Sequence, residues 1–250
     1  MSRLLIVSAL HEELAETLAL MPDEQRLPLA GRDFWAGHLQ GHAVVAVLSG
    51  IGKVAAATTA TLALQRFQPQ AVLFTGVAGG LSPQAQVGDV VVGAACLQHD
   101  MDASPLFPRH ELPGYGRAWL PADPTLLAAV AAASRSALDT LPDWLDVGVR
   151  QRFGLQRPQV HVGSLVTGDR FVATARESEA LRQALPEALA VDMESAAVAQ
   201  VCLDHATPFV AVRTISDRAD DAAHVDFPAF LHGVARHYSR AVVQGVLARL

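Results

Sequence analysis

Five carboxylates sit where apolar runs of the chain end. Glu12 and Glu13 follow the run at 3 to 9, Asp192 and Glu194 stand at the close of the run at 188 to 192, and Asp217 follows the run at 208 to 215. Two carboxyl groups facing one ligand can divide the work of general acid and general base, because the surroundings of each set its pKa separately. A third can accept hydrogen bonds from paired hydroxyls and favour a developing cation beside it. Each acid also has a plainer role open to it. Glu12 or Glu13 could complement a helix dipole, Glu194 could be a first-turn acid, and Asp217 could cap a turn. Two glycine-rich stretches accompany the acids. SGIGKV at 49 to 54 lacks Walker spacing, with Val47 and Val54 where Gly and Ser or Thr are required, and TGVAGGL at 75 to 81 misses the dinucleotide register. Both read as tight turns at which backbone can approach a ligand. The histidines and cysteines show no zinc spacing, so no metal and no cofactor is expected.

The elements that must position these groups alternate. Runs at 3 to 9, 42 to 48, 71 to 75, 88 to 95, 159 to 166, 188 to 192 and 208 to 215 are short, β-branched and almost continuously apolar, the pattern of buried strands. Helical patterns fall between them at 12 to 21, 53 to 67, 123 to 139, 174 to 184, 194 to 205 and 227 to 249. The last has Asp226 placed as an N-cap, Pro228 in its first turn, and Leu231, Val234, Tyr238 and Val242 on one stripe. Such alternation predicts a largely parallel or mixed sheet with helices on both faces. In open sheets of this kind ligands bind beyond the carboxyl ends of the strands, so separate strands would deliver the acids to one edge. Residues 100 to 122, with prolines at 105, 108, 113 and 121, form a long irregular connection, and 140 to 158 a second.

The chain's 250 residues, 51% of them hydrophobic, suit one large α/β domain over residues 1–250. A net charge of −6 without a basic run argues against nucleic acid or an anionic membrane as partner and for a small molecule. Cys96 and Cys202 lie in apolar stretches and are expected to be reduced core thiols. His11, Glu12 and Glu13 interrupt the hydrophobic start before a signal or membrane span could form, which leads to an expectation of the cytoplasm. Lys53, the sole lysine beside eighteen arginines, reads as compositional bias with no functional meaning.

Several motifs, taken in order, carry a family resemblance: SALHEEL, SGIGKVAAATTAT, TGVAGGL, VGDVVV, QHDMD, VTGDRFV, AVDMESAAVAQVC, VRTISDRAD and HVDFPAFL. Together they resemble the 5'-methylthioadenosine/S-adenosylhomocysteine nucleosidases from residue 3 to about 248. The resemblance implies a three-layer α/β/α sandwich around a central mixed, partly closed sheet, the nucleoside phosphorylase fold, and a homodimer. It places Glu13 as the carboxylate that activates water and Asp217 as the acid that protonates N7 of the purine. It places Glu194 on the ribose hydroxyls, Met193 against the sugar, Phe171 stacked on the base, and the Val172 backbone at the adenine edge. Phe227 becomes an apolar wall near the 5' substituent, and Val77, Ala78, Gly79 and Ser216 further substrate contacts. Leu106, Phe107 and Pro113 correspond to a loop that closes the partner's pocket. Two positions depart from the commonest pattern: Val77 stands where many relatives have Ser, and Asp192, assigned a supporting or backbone contact, stands where Glu is usual.

The implied reaction suits these groups. Breaking the C1'–N9 bond of a nucleoside develops cationic character on the sugar, and a purine leaves readily only once protonated, so an acid must meet N7. Unperturbed, Asp titrates near 4, and Asp217 needs burial or a hydrogen bond favouring its neutral form to donate at neutral pH. Two alternatives remain open from the residues. Phosphorolysis would need a cation near the first strand, where LHEEL offers acids that repel phosphate. A non-catalytic nucleoside sensor would be marked by loss of Glu13 or Asp217, and both are present.

Overall fold

The computed structural model describes residues 3–220 and 223–250, the side chains of 223–226 excepted. Its strands are β1 (Arg3–Ser8), β2 (Gln25–Leu29), β3 (Arg32–Leu39), β4 (His42–Leu48), β5 (Ala71–Gly80), β6 (Val90–Gln98), β7 (Leu120–Pro121), β8 (Val160–Thr167), β9 (Ala188–Asp192) and β10 (Phe209–Asp217). They join in the order β10-β6-β8-β9-β5-β1-β4-β3-β2, with β7 beside β6. β5 also pairs in parallel with β10, from Phe209 opposite Val72 to Asp217 opposite Gly79. That second pairing closes β5, β10, β6, β8 and β9 into a barrel, from which β1 to β4 extend as an open wing.

Alternation along the strands explains the layers. Leu4, Ile6, Val44, Ala46, Val210 and Val212 point to one side, where they pack with Leu14, Val130, Val242 and Val246. Those four come from α1 (His11–Ala19), α3 (Pro124–Asp139) and α9 (Arg236–Leu247). Leu5, Val7, Val45, Val47 and Ala211 point to the other side, against Ala56, Ala60, Leu64 and Val198 of α2 (Lys53–Phe67) and α7 (Ser195–Asp204). Apolar residues on both faces are what a sheet sandwiched by helices requires. The expected three-layer α/β/α architecture is therefore present. The connection 140 to 158 contains two short helices, α4 (Leu141–Trp144) and α5 (Val147–Arg152), and α6 (Ala175–Ala184) follows β8.

Two expectations need correction, and one hairpin lay outside them. The hairpin β2–β3 was not legible: β2 carries Pro28 and mostly exposed positions, because an edge strand has no need of an apolar run. TGVAGGL is not a turn, since residues 76 to 80 continue β5. Finally, the C-terminal helix divides into α8 (Ala223–Phe230), a π-helical turn at Leu231–Ala235, and α9. α8 already runs through Asp226, so that residue is not its N-cap; its side chain lies outside those described, and Pro228 stands inside the helix rather than in its first turn. The stripe of Leu231, Val234, Tyr238 and Val242 is buried as expected. SGIGKV does turn tightly, with φ +73° at Gly50 and +92° at Gly52.

Candidate active site

The carboxyl ends of β1, β5, β9 and β10 meet at one cavity. Its wall includes Glu13, Asp192, Glu194 and Asp217, with Val77, Ala78 and Gly79 from β5. Phe171, Val172, Met193, Ser216 and Phe227 complete the predicted set. Glu12 is not part of the wall; its carboxylate lies 4.0 Å from His232 Nε2 at the surface of α1. Leu106, Phe107 and Pro113 do not line it either, and Leu106 is 83% exposed.

Glu13 is placed by the first turn of α1 and is 2% exposed. Its Oε2 accepts the amides of Ala9 and Leu10, each at 2.9 Å, and its Oε1 accepts the amide of Val77 at 2.9 Å. Burial raises its pKa against the pull of Arg213 and those amides in the other direction. All three bonds donate to the carboxylate, which fits the anionic form of a base.

Asp217, at the end of β10, has a different environment. Its Oδ1 accepts the Ala219 amide at 2.8 Å and its Oδ2 accepts the Ser216 hydroxyl at 2.6 Å. Burial outweighs these contacts and lifts its pKa above the ordinary aspartate value, which favours a proton-carrying acid. The Ser216 hydroxyl also reaches the Ala78 carbonyl at 3.4 Å, so it has another acceptor once Asp217 holds a proton.

Glu194 is 6% exposed just before α7, and its Oε1 accepts the Gly52 amide at 2.9 Å. Burial first and the neighbouring Asp192 second push its pKa up to about 7, against Arg213 and the Gly52 amide. Asp192 is committed inward. Its Oδ2 accepts Arg213 Nε at 2.8 Å and the Ser195 hydroxyl, while Oδ1 accepts Thr167 Oγ1 at 2.5 Å. These bonds point Asp192 toward Arg213, Ser195 and Thr167.

Arg213 was missed by the sequence reading. It is 1% exposed in β10, its Nη2 donates to Ser195 Oγ at 3.0 Å, and its guanidinium lies 4.0 Å from the Phe74 ring centroid. A cation in the middle of the apolar run FVAVRTISD was the available signal, because a buried cation demands buried anions. Gly76 is the second omission. A Cβ there would stand 2.6 Å from both Arg213 Nη1 and Glu13 Oε1, so glycine admits the base and the cation to the same spot. Ile51, 59% exposed on the SGIGKV turn, lines the mouth. One wall of the cavity is aromatic: Phe171 and Phe227 stand edge to face, 5.9 Å apart.

The first amides of α2 are the donors that bind phosphate in a P-loop. Here they are taken by carboxylates, Gly52 N by Glu194 and Lys53 N by Asp169 at 2.7 Å. The cavity therefore combines four buried acids, one buried arginine and an apolar lining, which suits a neutral, hydroxyl-bearing ligand with a flat ring.

The family model described as the phosphorylase superfamily matches residues 3–248. A 5'-methylthioadenosine/S-adenosylhomocysteine nucleosidase from Marinomonas sp. (strain MWYL1) is 37% identical, over 98% of this chain and 98% of the relative. The crystal structure of the Neisseria meningitidis 5'-methylthioadenosine/S-adenosylhomocysteine nucleosidase with methylthio-immucillin-A superposes with a TM-score of 0.88 at 31% identity, covering 100% of both chains. A futalosine hydrolase from Helicobacter pylori superposes with a TM-score of 0.84 at 30% identity, over 100% of this chain and 98% of that one.

Proposed function

Since this chain belongs to the phosphorylase superfamily and, within it, to the 5'-methylthioadenosine/S-adenosylhomocysteine nucleosidases, we infer that it hydrolyses the N-glycosidic bond of 5'-substituted adenine nucleosides and releases adenine. The observation that supports a division of roles is the convergence of Glu13, Glu194 and Asp217 on one cavity in three different settings. In this reading Asp217 carries a proton to N7 and turns the purine into a neutral leaving group. Glu13, held by three amides, accepts a proton from the attacking water. Glu194 accepts hydrogen bonds from the ribose hydroxyls, and its charge favours the cationic sugar of the transition state. Phe171 supplies the ring against which the base stacks, Val172 the backbone at the adenine edge, and Met193 and Phe227 the apolar walls. Val77 makes the sugar side more apolar than a serine would.

Water is favoured over phosphate as nucleophile on electrostatic grounds. Arg213 spends Nε on Asp192 and Nη2 on Ser195, and phosphate beside Glu13 would meet an anion in a medium of low dielectric. Incubating the protein with 5'-methylthioadenosine, with and without phosphate, tests this. Free adenine is expected in both tubes; adenine only with phosphate would mean phosphorolysis, and none in either would remove the enzyme.

The same reading takes residues 1–250 as one catalytic domain, acting in the cytoplasm as a homodimer. Among the described residues no helix is long and apolar enough to cross a membrane. Exposed Ile51 at the cavity mouth and Leu106 on the 100 to 122 loop support a second copy covering the opening. Light scattering should give the dimer mass, and a fully active monomer would exclude it. Of the possible 5' substituents, methylthio suits the apolar wall, and specificity constants for methylthioadenosine, S-adenosylhomocysteine, 5'-deoxyadenosine and aminodeoxyfutalosine would rank them.

A further inference from the structure

SGIGKV lacks the spacing of a phosphate loop, and composition alone gives its lysine no meaning. The structure gives that lysine a place. In a chain that uses arginine for every other side-chain cation of the Lys and Arg type, Lys53 puts its ammonium 2.6 Å from Asp100 Oδ1, 3.3 Å from Gln98 Oε1 and 3.8 Å from Asp169 Oδ2. Its side chain is 17% exposed. A compact group with donors in three directions suits three oxygens better than a planar fork would.

The three oxygens come from two different strand ends. Gln98 and Asp100 belong to the end of β6 and the turn after it, whereas Asp169 follows β8. Both carboxylates also accept backbone amides. Asp169 N donates to Asp100 Oδ2 at 2.9 Å, and Asp169 Oδ1 accepts the Lys53 amide at 2.7 Å. One residue earlier, Gly168 N donates to the Asp192 carbonyl at 3.1 Å, and a Cβ at Gly168 would lie 2.3 Å from His99 Nε2. Residues 168 and 169 are therefore clamped, and Phe171 begins only two residues further on. Burial works to raise the Asp100 pKa, but the Lys53 ammonium and the Asp169 amide overcome it and hold that carboxyl below its ordinary value.

We propose that Lys53 is a positioning residue: through Asp100 and Asp169 it fixes the segment that presents Phe171 and Val172, and so sets affinity for the adenine end of the substrate. This rests on the reading that the base stacks on Phe171. It assigns Lys53 no contact with the reacting atoms. The link from Gly52 N to Glu194 is made by backbone, so losing the ammonium leaves the ribose carboxylate and the acid at Asp217 in place.

The test uses Lys53→Met and Lys53→Arg, Asp100→Asn, and Lys53→Met in a Phe171→Ala background. KM, kcat, the pH profile of kcat, and inhibition by free adenine are measured for each. Lys53→Met is expected to raise KM and weaken adenine inhibition about tenfold each, the scale of one charge-assisted hydrogen bond. Its kcat and pH profile should stay within about twofold. Lys53→Arg should recover only part of the affinity, Asp100→Asn should reproduce the loss, and the loss should shrink when Phe171 is already Ala. A fall in kcat with KM unchanged, unaltered adenine affinity, or the full effect persisting without Phe171 would overturn the proposal. If Lys53→Met does not fold, Asp100→Asn carries the same readouts. Failure of the nucleosidase reading would appear separately, as no adenine from the unmodified protein.

Discussion

Burial raises the pKa of both Glu13 and Asp217, yet their partners differ in a way that suits the opposite roles proposed for them. Three amides aim at Glu13, and every one of them stabilises the anion. Asp217 has one amide and a hydroxyl that can turn elsewhere. With Glu13 as the proposed base and Asp217 as the proposed acid, turnover would need Glu13 ionised and Asp217 protonated, so kcat/KM should be bell-shaped with pH: rising as Glu13 loses its proton, falling as Asp217 does. The apparent pKa values belong to the coupled site. Asp217→Asn should lower kcat by about 10² to 10⁴ and abolish the alkaline limb of any residual rate, measured by adenine release. Glu13→Gln should cost a similar factor and remove the acid limb of kcat, leaving in kcat/KM only the fall that Glu194 causes. Intact thermal transitions in both variants would show that chemistry, not folding, was lost. Glu194 gives a different signature, since its proposed hold on the ribose hydroxyls adds an effect on affinity to its effect on the transition state. With its pKa pushed up to about 7, the free protein below that pH carries a protonated Glu194 that no longer offers both oxygens as acceptors. KM for the nucleoside should therefore rise as pH falls through about 7, and Glu194→Gln should raise KM at pH 8 and flatten this dependence.

At the scale of the elements, β5 does the most for the site, and it is where the sequence is hardest to read. It pairs with β1, β10 and β9, and its glycine-rich end runs between Glu13, Arg213 and Asp217. Glycine in a strand ordinarily weakens it and signals a turn, which is how GVAGG misleads. The reason for glycine is across the sheet: side chains from α1 and β10 occupy the volume a Cβ would take. Nothing local in residues 75 to 81 encodes that. Strands buried on both faces, and the acids at their ends, were legible because continuous apolar runs and an abrupt carboxylate are local signals. The β2–β3 edge and the barrel closure between β5 and β10 were not, since each depends on pairing partners distant in the chain. Gly76→Ala tests the crowding directly. The new methyl would meet Arg213 Nη1 and Glu13 Oε1 at 2.6 Å, and overpacking of this kind costs about 1 to 3 kcal/mol. The midpoint of thermal unfolding should fall by several degrees, and kcat should drop as Glu13 is displaced, whereas an unchanged kcat would mean the base does not need its present position.

Taken over the whole molecule, the site is a concentration of like charge that the fold must tolerate. Glu13, Asp192, Glu194 and Asp217 are buried beside Arg213, whose charge is shared among the first three. Asp192 holds the closest geometry, and removing its partner would strand a carboxylate in the core. Arg213→Met should therefore destabilise by about 3 to 5 kcal/mol, read from denaturant unfolding. The opposite sign is expected at Glu194, where the protein bears a cost in the proposed service of binding. A carboxyl moved from 4.5 to about 7 on folding binds its proton more tightly in the native state. Stability from that proton is fully present below pH 4.5 and is lost as pH rises through about 7. At about 1.4 kcal/mol for each tenfold, the ionised form costs roughly 3 kcal/mol at pH 8. Glu194→Gln keeps an oxygen for the Gly52 amide and cannot ionise, so it should raise the unfolding midpoint at pH 8 and leave it nearly unchanged near pH 4.5. Melting curves across that range decide the matter. A shift of equal size at both ends would mean that Glu194 carries no destabilising charge, and the electrostatic tension attributed to the cavity would then have to lie elsewhere.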